Sequence, residues 1–375
     1  MNTVRLAAAG AGKTWKICNE AISAAHCCED VKNVLIVTYT NKGVDSIHKE
    51  LELQNMGVIP PKIRIMSWYQ FLLKELIRPY QTFIAGINEV RSFDYSLEHS
   101  RNFAKSGTKC RYITGASNVR SEEASNLVML LNQKSNGLVF SRLGKIYAQI
   151  FIDEIQDMAG RDLDLLSAIF QTEIHVTCVG DNKQATFQTH TTRANKKMSG
   201  ANIFDFFAEA EKQGVVKIEK NLCSRRFNAD ICDFANRVFP NENCMTTSMR
   251  ETTGHDGIFL IERKDAHKYY SNFHPQELRY SRTNADVYGL FAVNFGECKG
   301  QTYERCLIHP SKPIIEFLKG KGLSKNQQKY YVALTRAKYS NAIIVEKLFS
   351  AVGFEPCEIE IENGVISALK YKREE

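Results

Sequence analysis

The stretch from Thr3 to Ala25 constrains the fold more than any other part of the chain. Thr3-Val4-Arg5-Leu6 reads as a short strand, and Trp15, Cys18, Ile22 and Ala25 recur at helical spacing. Between them lies Ala7-Ala8-Ala9-Gly10-Ala11-Gly12-Lys13-Thr14. A strand that feeds a helix through such a loop is a βα unit, the building block of a parallel sheet with helices on its faces. Small residues let backbone N–H groups wrap phosphates, and the helix adds the positive end of its dipole. Ala9, Gly10, Ala11, Gly12, Lys13 and Thr14 are therefore expected to hold a nucleotide. Lys13 would reach the β and γ phosphates of ATP, and Thr14 would ligate Mg²⁺. The competing reading is a flexible Ala/Gly turn beside an unrelated Lys-Thr.

The same grammar recurs along the chain. Val34-Leu35-Ile36-Val37-Thr38, Ile150-Phe151-Ile152 and Val176-Thr177-Cys178-Val179 are near-continuously apolar or β-branched, as strands buried on both faces should be. A site at the carboxyl ends of these strands follows from the fold class. Asp153-Glu154 ends the second of them, and two adjacent acids there are costly unless paired or metal-bound. Asp153 would hold Mg²⁺, and Glu154 would orient and deprotonate an attacking water. Helix capping is the alternative, and Asp157 fits it. Val179-Gly180-Asp181-Asn182-Lys183-Gln184 ends the next strand, and the Gln184 amide would sense the γ-phosphate.

Residues from about 83 to 140 break the alternation, with many Ser, Asn, Gly and Arg, and read as a partly helical insertion. A first domain is expected over 1–214 and a second α/β domain over 215–375. Strands of the second are expected at Val216-Lys217-Ile218, Ile258 to Ile261, Cys306 to Ile308 and Ala342 to Val345. Glu358 to Ile366 reads as a hairpin with an Asn-Gly turn.

Composition excludes some classes. No apolar run approaches the roughly 20 residues that span a bilayer, and 43% hydrophobic with 24% charged residues is ordinary for a globular chain. The eleven cysteines show no zinc spacing, so free thiols in a reducing cytoplasm are expected. A net charge of +7 permits a polyanionic partner without demanding one.

Taken in order, these motifs resemble the UvrD/Rep branch of superfamily-one DNA helicases. The match comprises the phosphate loop, Thr38-Tyr39-Thr40-Asn41-Lys42, Asp153 to Asp157 and Gly180 to Gln184. Tyr331-Val332-Ala333-Leu334-Thr335-Arg336-Ala337-Lys338 resembles that family's YVAxTRA motif, and Arg226 with Ile231 and Ala235-Asn236 its NYRS segment. The resemblance implies two RecA-like P-loop domains with ATP in the cleft between them. It makes Arg226 and Arg336 arginine fingers, with surface charge as the alternative. Lys299-Gly300 matches the core of a further nucleotide- or DNA-facing motif. Tyr39, Asn41, Lys42, Trp68 and Phe187 would touch single-stranded DNA, although Trp68 also suits a place under a helix.

The sequence departs from that pattern in four places. No Gln precedes the phosphate loop to read the base. Arg225 replaces a base-stacking Tyr, and its guanidinium plane would stack instead. Thr189 and His190 stand where an aromatic and an Arg are usual. A large second-domain insertion is missing. The leading expectation is an ATP-driven translocase or helicase on single-stranded DNA. The alternative is a nucleotide-sensing subunit that regulates a nuclease partner. The reduced layout is similar to that of the helicase-like subunit of the Gabija antiphage system.

Overall fold

The computed structural model describes residues 1–27, 31–96, 105, 107–186, 195–240, 243–281, 288–289, 291–323 and 326–373, the side chain of Lys196 aside. Contacts divide it into two compact units. One comprises Met1–Leu6, Lys13–Asn182 and Gln188–Lys220; the other comprises Ala7–Gly12, Lys183–Phe187 and Asn221–Glu375. Both are α/β with largely parallel sheets, the class expected from the sequence.

The first unit is built on a six-stranded sheet. Its order is Ile63–Ser67, Asn33–Thr38, Tyr147–Ile152, His175–Gly180, Asn2–Ala7 and Val216–Asn221. The first five strands pair in parallel, in a register that sets Val37 beside Ile152, Ile152 beside Cys178 and Leu6 beside Gly180. The loops carrying the candidate residues therefore leave one common edge, where an open parallel sheet binds its ligands. Val4, Leu35, Val37, Ile150, Ile152 and Val176 form the middle of the core.

Two expectations change here. Val216–Asn221 does not open the second sheet; it is the outer strand of the first, beside Asn2–Ala7. Its burial alternates only loosely, as suits an edge strand, so its short apolar stretch gave no hint of which sheet it joins. The stretch read as an insertion also reaches into the core. Its helix Ala124–Lys134 buries Leu127, Val128 and Leu131 in the same cluster as the central strands.

The second unit holds a seven-stranded sheet, ordered Ala292–Asn294, Gln276–Arg279, Tyr303–His309, Ala337–Val345, Gly257–Glu262, Gly364–Tyr371 and Phe354–Ile361. The first five strands are parallel, and the C-terminal hairpin adds two antiparallel ones. The hairpin closes one residue earlier than expected. Ile361 pairs with Gly364, so Glu362-Asn363 makes the turn and Gly364, at φ 128°, starts the strand. No helix among the described residues is long and apolar enough to cross a membrane.

Candidate functional site

The acidic pair of the first unit is built by a strand end. The Asp153 N–H donates to Val37 O at 2.8 Å, which extends the sheet by one rung. Its side chain is 5% exposed and accepts a bond from Thr14 Oγ1 at 3.3 Å. Burial, then the charge of Glu154, pushes the Asp153 carboxyl well above the usual carboxylate range. The Thr14 hydroxyl and this carboxylate thus stand together at one point. That donor set fits Mg²⁺, which takes one or two protein oxygens and completes its shell with phosphate and water.

Glu154 follows in a left-handed conformation, φ 57° and ψ 41°. A non-glycine residue held there carries strain on the order of 1 kcal/mol, and such residues collect at functional sites. Its amide donates to Asp153 Oδ1 at 2.9 Å, and its carboxylate accepts from Gln156 Nε2. Gln156 is fully buried and also accepts from the Asp181 N–H at 3.0 Å. A Cβ at Gly180 would sit 2.5 Å from that same Gln156 oxygen, so only glycine fits. Gln156 therefore clamps Glu154 to the next strand end. In sequence, only the place of Gln156 between Glu154 and Asp157 hints at this role.

The phosphate loop proper, Ala7–Gly12, groups with the second unit. Gly10 and Gly12 both have φ 75°, a conformation that glycine adopts without cost. A Cβ on Gly10 would collide with Ser224 Oγ and lie 2.6 Å from Arg226 Cβ. Arg225 N–H donates to Gly10 O at 2.9 Å, and Asn221 Nδ2 donates to Ala11 O at 3.2 Å. Ala9 N–H reaches Tyr331 Oη at 3.5 Å. The loop is thus held by the segment carrying Arg225 and Arg226 and by the first residue of the Tyr331 to Lys338 motif. Lys13 opens the Lys13–Cys27 helix and is half-buried.

The two finger candidates differ. Arg226 is half-buried, and its Nη1 donates to Thr335 O at 3.1 Å. Arg336 is 1% exposed; Nε donates to Val332 O at 2.9 Å, Nη1 to Gln301 O at 3.2 Å and Nη2 to Thr335 Oγ1 at 3.2 Å. Gln184 is buried in a short 3-10 turn, Asn182–Gln184. Its neighbour Lys183 is buried with its ammonium over the Phe239 and Tyr331 rings and donates to Asn243 O at 3.2 Å. Arg225 is exposed, Lys299 half-buried, and Gly300 exposed at φ 82°.

Of the residues expected to face nucleic acid, Tyr39 is half-buried at the end of the Asn33–Thr38 strand, and Asn41 and Lys42 are exposed. Both open the Asn41–Gln54 helix, whose cap is Thr40 accepting the Gly43 N–H at 3.0 Å. Trp68 is 0% exposed and packs against Phe71 at 5.7 Å between ring centroids. This corrects the expectation for Trp68: it offers no ring face to a base and is a core residue. Phe187 lies outside the described residues.

A family model described as an AAA domain matches residues 2–190, just over half of the chain. The chain belongs to this AAA-domain family. The matched residues contain the phosphate loop, the Asp153 to Asp157 motif and Gln184. No curated protein matches the chain. Among solved structures, "Complex structure of Arterivirus nonstructural protein 10 (helicase) with DNA" is similar at TM-score 0.47 and 12% identity, over 92% of this chain. The chain spans 61% of the length of that protein.

Proposed function

We propose that this AAA-domain protein is a Mg²⁺-dependent ATPase of the UvrD/Rep type that moves along single-stranded DNA. The observation that carries the reading is the meeting of Thr14 and Asp153 at 3.3 Å, with Glu154 held beside them in a strained backbone. Thr14 and Asp153 would hold Mg²⁺, which would supply positive charge against the negative charge developing on the phosphates. Lys13 binds the outer phosphates and the loop amides cradle the inner ones. Glu154 takes the proton of the attacking water, and Gln156 keeps its carboxylate in place. Gln184 reports the γ-phosphate. Arg226 is the readier finger, since it is half-buried, whereas Arg336 is 1% exposed and bonded to Val332, Gln301 and Thr335. Tyr39, Asn41 and Lys42 grip the strand, by stacking and by phosphate contact.

The test is ATP hydrolysis by the purified chain, with and without an unstructured single-stranded oligonucleotide, beside Glu154→Gln. Hydrolysis that rises with DNA and vanishes in the variant is the expected result. Hydrolysis indifferent to DNA would defeat the motor reading and leave the ATPase.

A further inference from the structure

Asp162 is a carboxylate that packing alone does not explain. It is 1% exposed at the second position of the Arg161–Phe170 helix, five residues beyond the Asp153 to Asp157 motif. Burying a carboxylate is costly unless its oxygens are bonded. Here each oxygen is bonded to a different segment of the first unit. Oδ1 accepts from Ser125 Oγ at 2.5 Å, and Oδ2 accepts from Tyr39 Oη at 3.3 Å. Ser125 is buried on the Ala124–Lys134 helix. Tyr39 follows the Asn33–Thr38 strand. One side chain thus ties the helix after the acidic motif to the residue offered to the nucleic acid.

The Tyr39 ring is fixed a second time. It meets Tyr69 edge-on, with centroids 6.1 Å apart and planes at 79°. Tyr69 in turn meets Phe93 at 4.9 Å and Tyr95 at 5.3 Å. A hydroxyl anchored at one end and an edge contact on the ring remove most of the freedom of the side chain. A ring fixed before binding loses little entropy when a base stacks on it, and the saving appears as affinity.

We infer that Asp162 is a positioning residue for nucleic-acid binding, holding Tyr39 as a preorganised stacking platform for a nucleobase. The inference rests on the proposed function. It adds a residue that acts through Tyr39, and a route of a few chain residues and one hydrogen bond from the acidic motif to the DNA grip.

The experiment compares two fluorescein-labelled strands by anisotropy, one of thymidines and one of the same length with abasic sites. The wild-type chain should bind the thymidine strand more tightly. Loss of one hydrogen bond to a charged group should make Asp162→Asn bind the thymidine strand at least about tenfold more weakly, with abasic binding unchanged. Tyr39→Phe removes only the hydroxyl and should lose as much, and the double variant should lose no more than either alone. A purely structural Asp162 would lower the unfolding temperature and weaken both strands equally, which overturns the inference. So would an Asp162→Asn chain that binds both strands as the wild type does. A wild type that binds neither strand sinks the functional proposal itself, and the inference with it. A wild type that binds both strands equally leaves the ATPase standing but removes the platform.

Discussion

The acids of the first unit and the arginines of the second are held in place in different ways. Glu154 sits half-buried in a strained left-handed turn, held through Gln156. Arg336 is sealed, with three donors committed to Val332, Gln301 and Thr335 of its own unit. The first is built at a cost to the fold, because the strain of a non-glycine residue there is not returned by packing. The second is part of the fold, because removing it would strand buried acceptors. Residues of the first kind should be separable from stability, and residues of the second kind should not.

The largest expected effect tests the first half of that comparison. Glu154→Gln keeps the shape and the left-handed backbone and removes the proton acceptor. General-base catalysis is worth about 10²- to 10⁴-fold, so ATP turnover should fall at least a hundredfold. The unfolding midpoint, read by circular dichroism, should not fall. A variant that loses activity and stability together would break the comparison.

Arg336→Ala tests the other half. Hydrogen bonds from a charged donor contribute about 1.5–3 kcal/mol each when their partners are left buried. Urea unfolding should show a loss of several kcal/mol, with activity lost alongside. Arg226→Ala is the control, since Arg226 is half-buried with a bond to Thr335 O. Losing that bond should cost about 1.5–3 kcal/mol, less than Arg336→Ala, while turnover still falls. If both arginines cost the same stability, burial is not what separates them.

How much of this was legible in the sequence differs between the two regions for a physical reason. The strands of the phosphate loop and of Asp153-Glu154 are local signals: apolar runs ending in small or acidic residues. Their alignment along one sheet edge follows from parallel pairing. The support of those residues is not local. Gln156 acts on Asp181, Ser125 on Asp162, and Asp162 on Tyr39, across separations of 25, 37 and 123 residues. Trp68 was ambiguous because an aromatic residue after a strand suits a core and a stacking site equally, and only burial decides. Lys183 gave no signal either, because a lysine in a loop is normally solvated, and its aromatic neighbours Phe239 and Tyr331 lie far along the chain.

Acid sharpens the comparison at a smaller scale. His255 of the second unit stacks between Phe259 and Phe273, at 4.4 and 4.0 Å between centroids, and its Nε2 bonds Tyr269 Oη at 2.9 Å. Burial, then the nearby Arg305 charge, lowers its pKa from 6.5 to about 4. The folded state resists a proton that the unfolded chain accepts. The stability this site contributes is therefore complete above pH about 6.5 and is lost as pH falls towards about 4. His255→Phe keeps a flat ring in the stack and has nothing to titrate. Urea midpoints measured from pH 7 to pH 4 should fall less steeply in this variant than in the wild type. Equal slopes would assign the acid sensitivity to other groups.

The smallest expected effect lies on the surface, where neither strain nor burial is involved. Lys42 is exposed at the second position of the Asn41–Gln54 helix, so its removal strands no acceptor and opens no cavity. A positive charge there reaches a phosphate only through solvent-screened attraction, and its loss should weaken single-stranded DNA binding about threefold at moderate salt, shrinking as salt rises. The unfolding midpoint of Lys42→Ala should match the wild type. The salt dependence decides the reading: loss of one phosphate contact on a single strand flattens the slope of log affinity against log salt by about 0.7 unit. A weakened affinity with an unchanged slope would mean that Lys42 acts on the helix cap and not on the strand, and would move the phosphate grip to Asn41 and its neighbours.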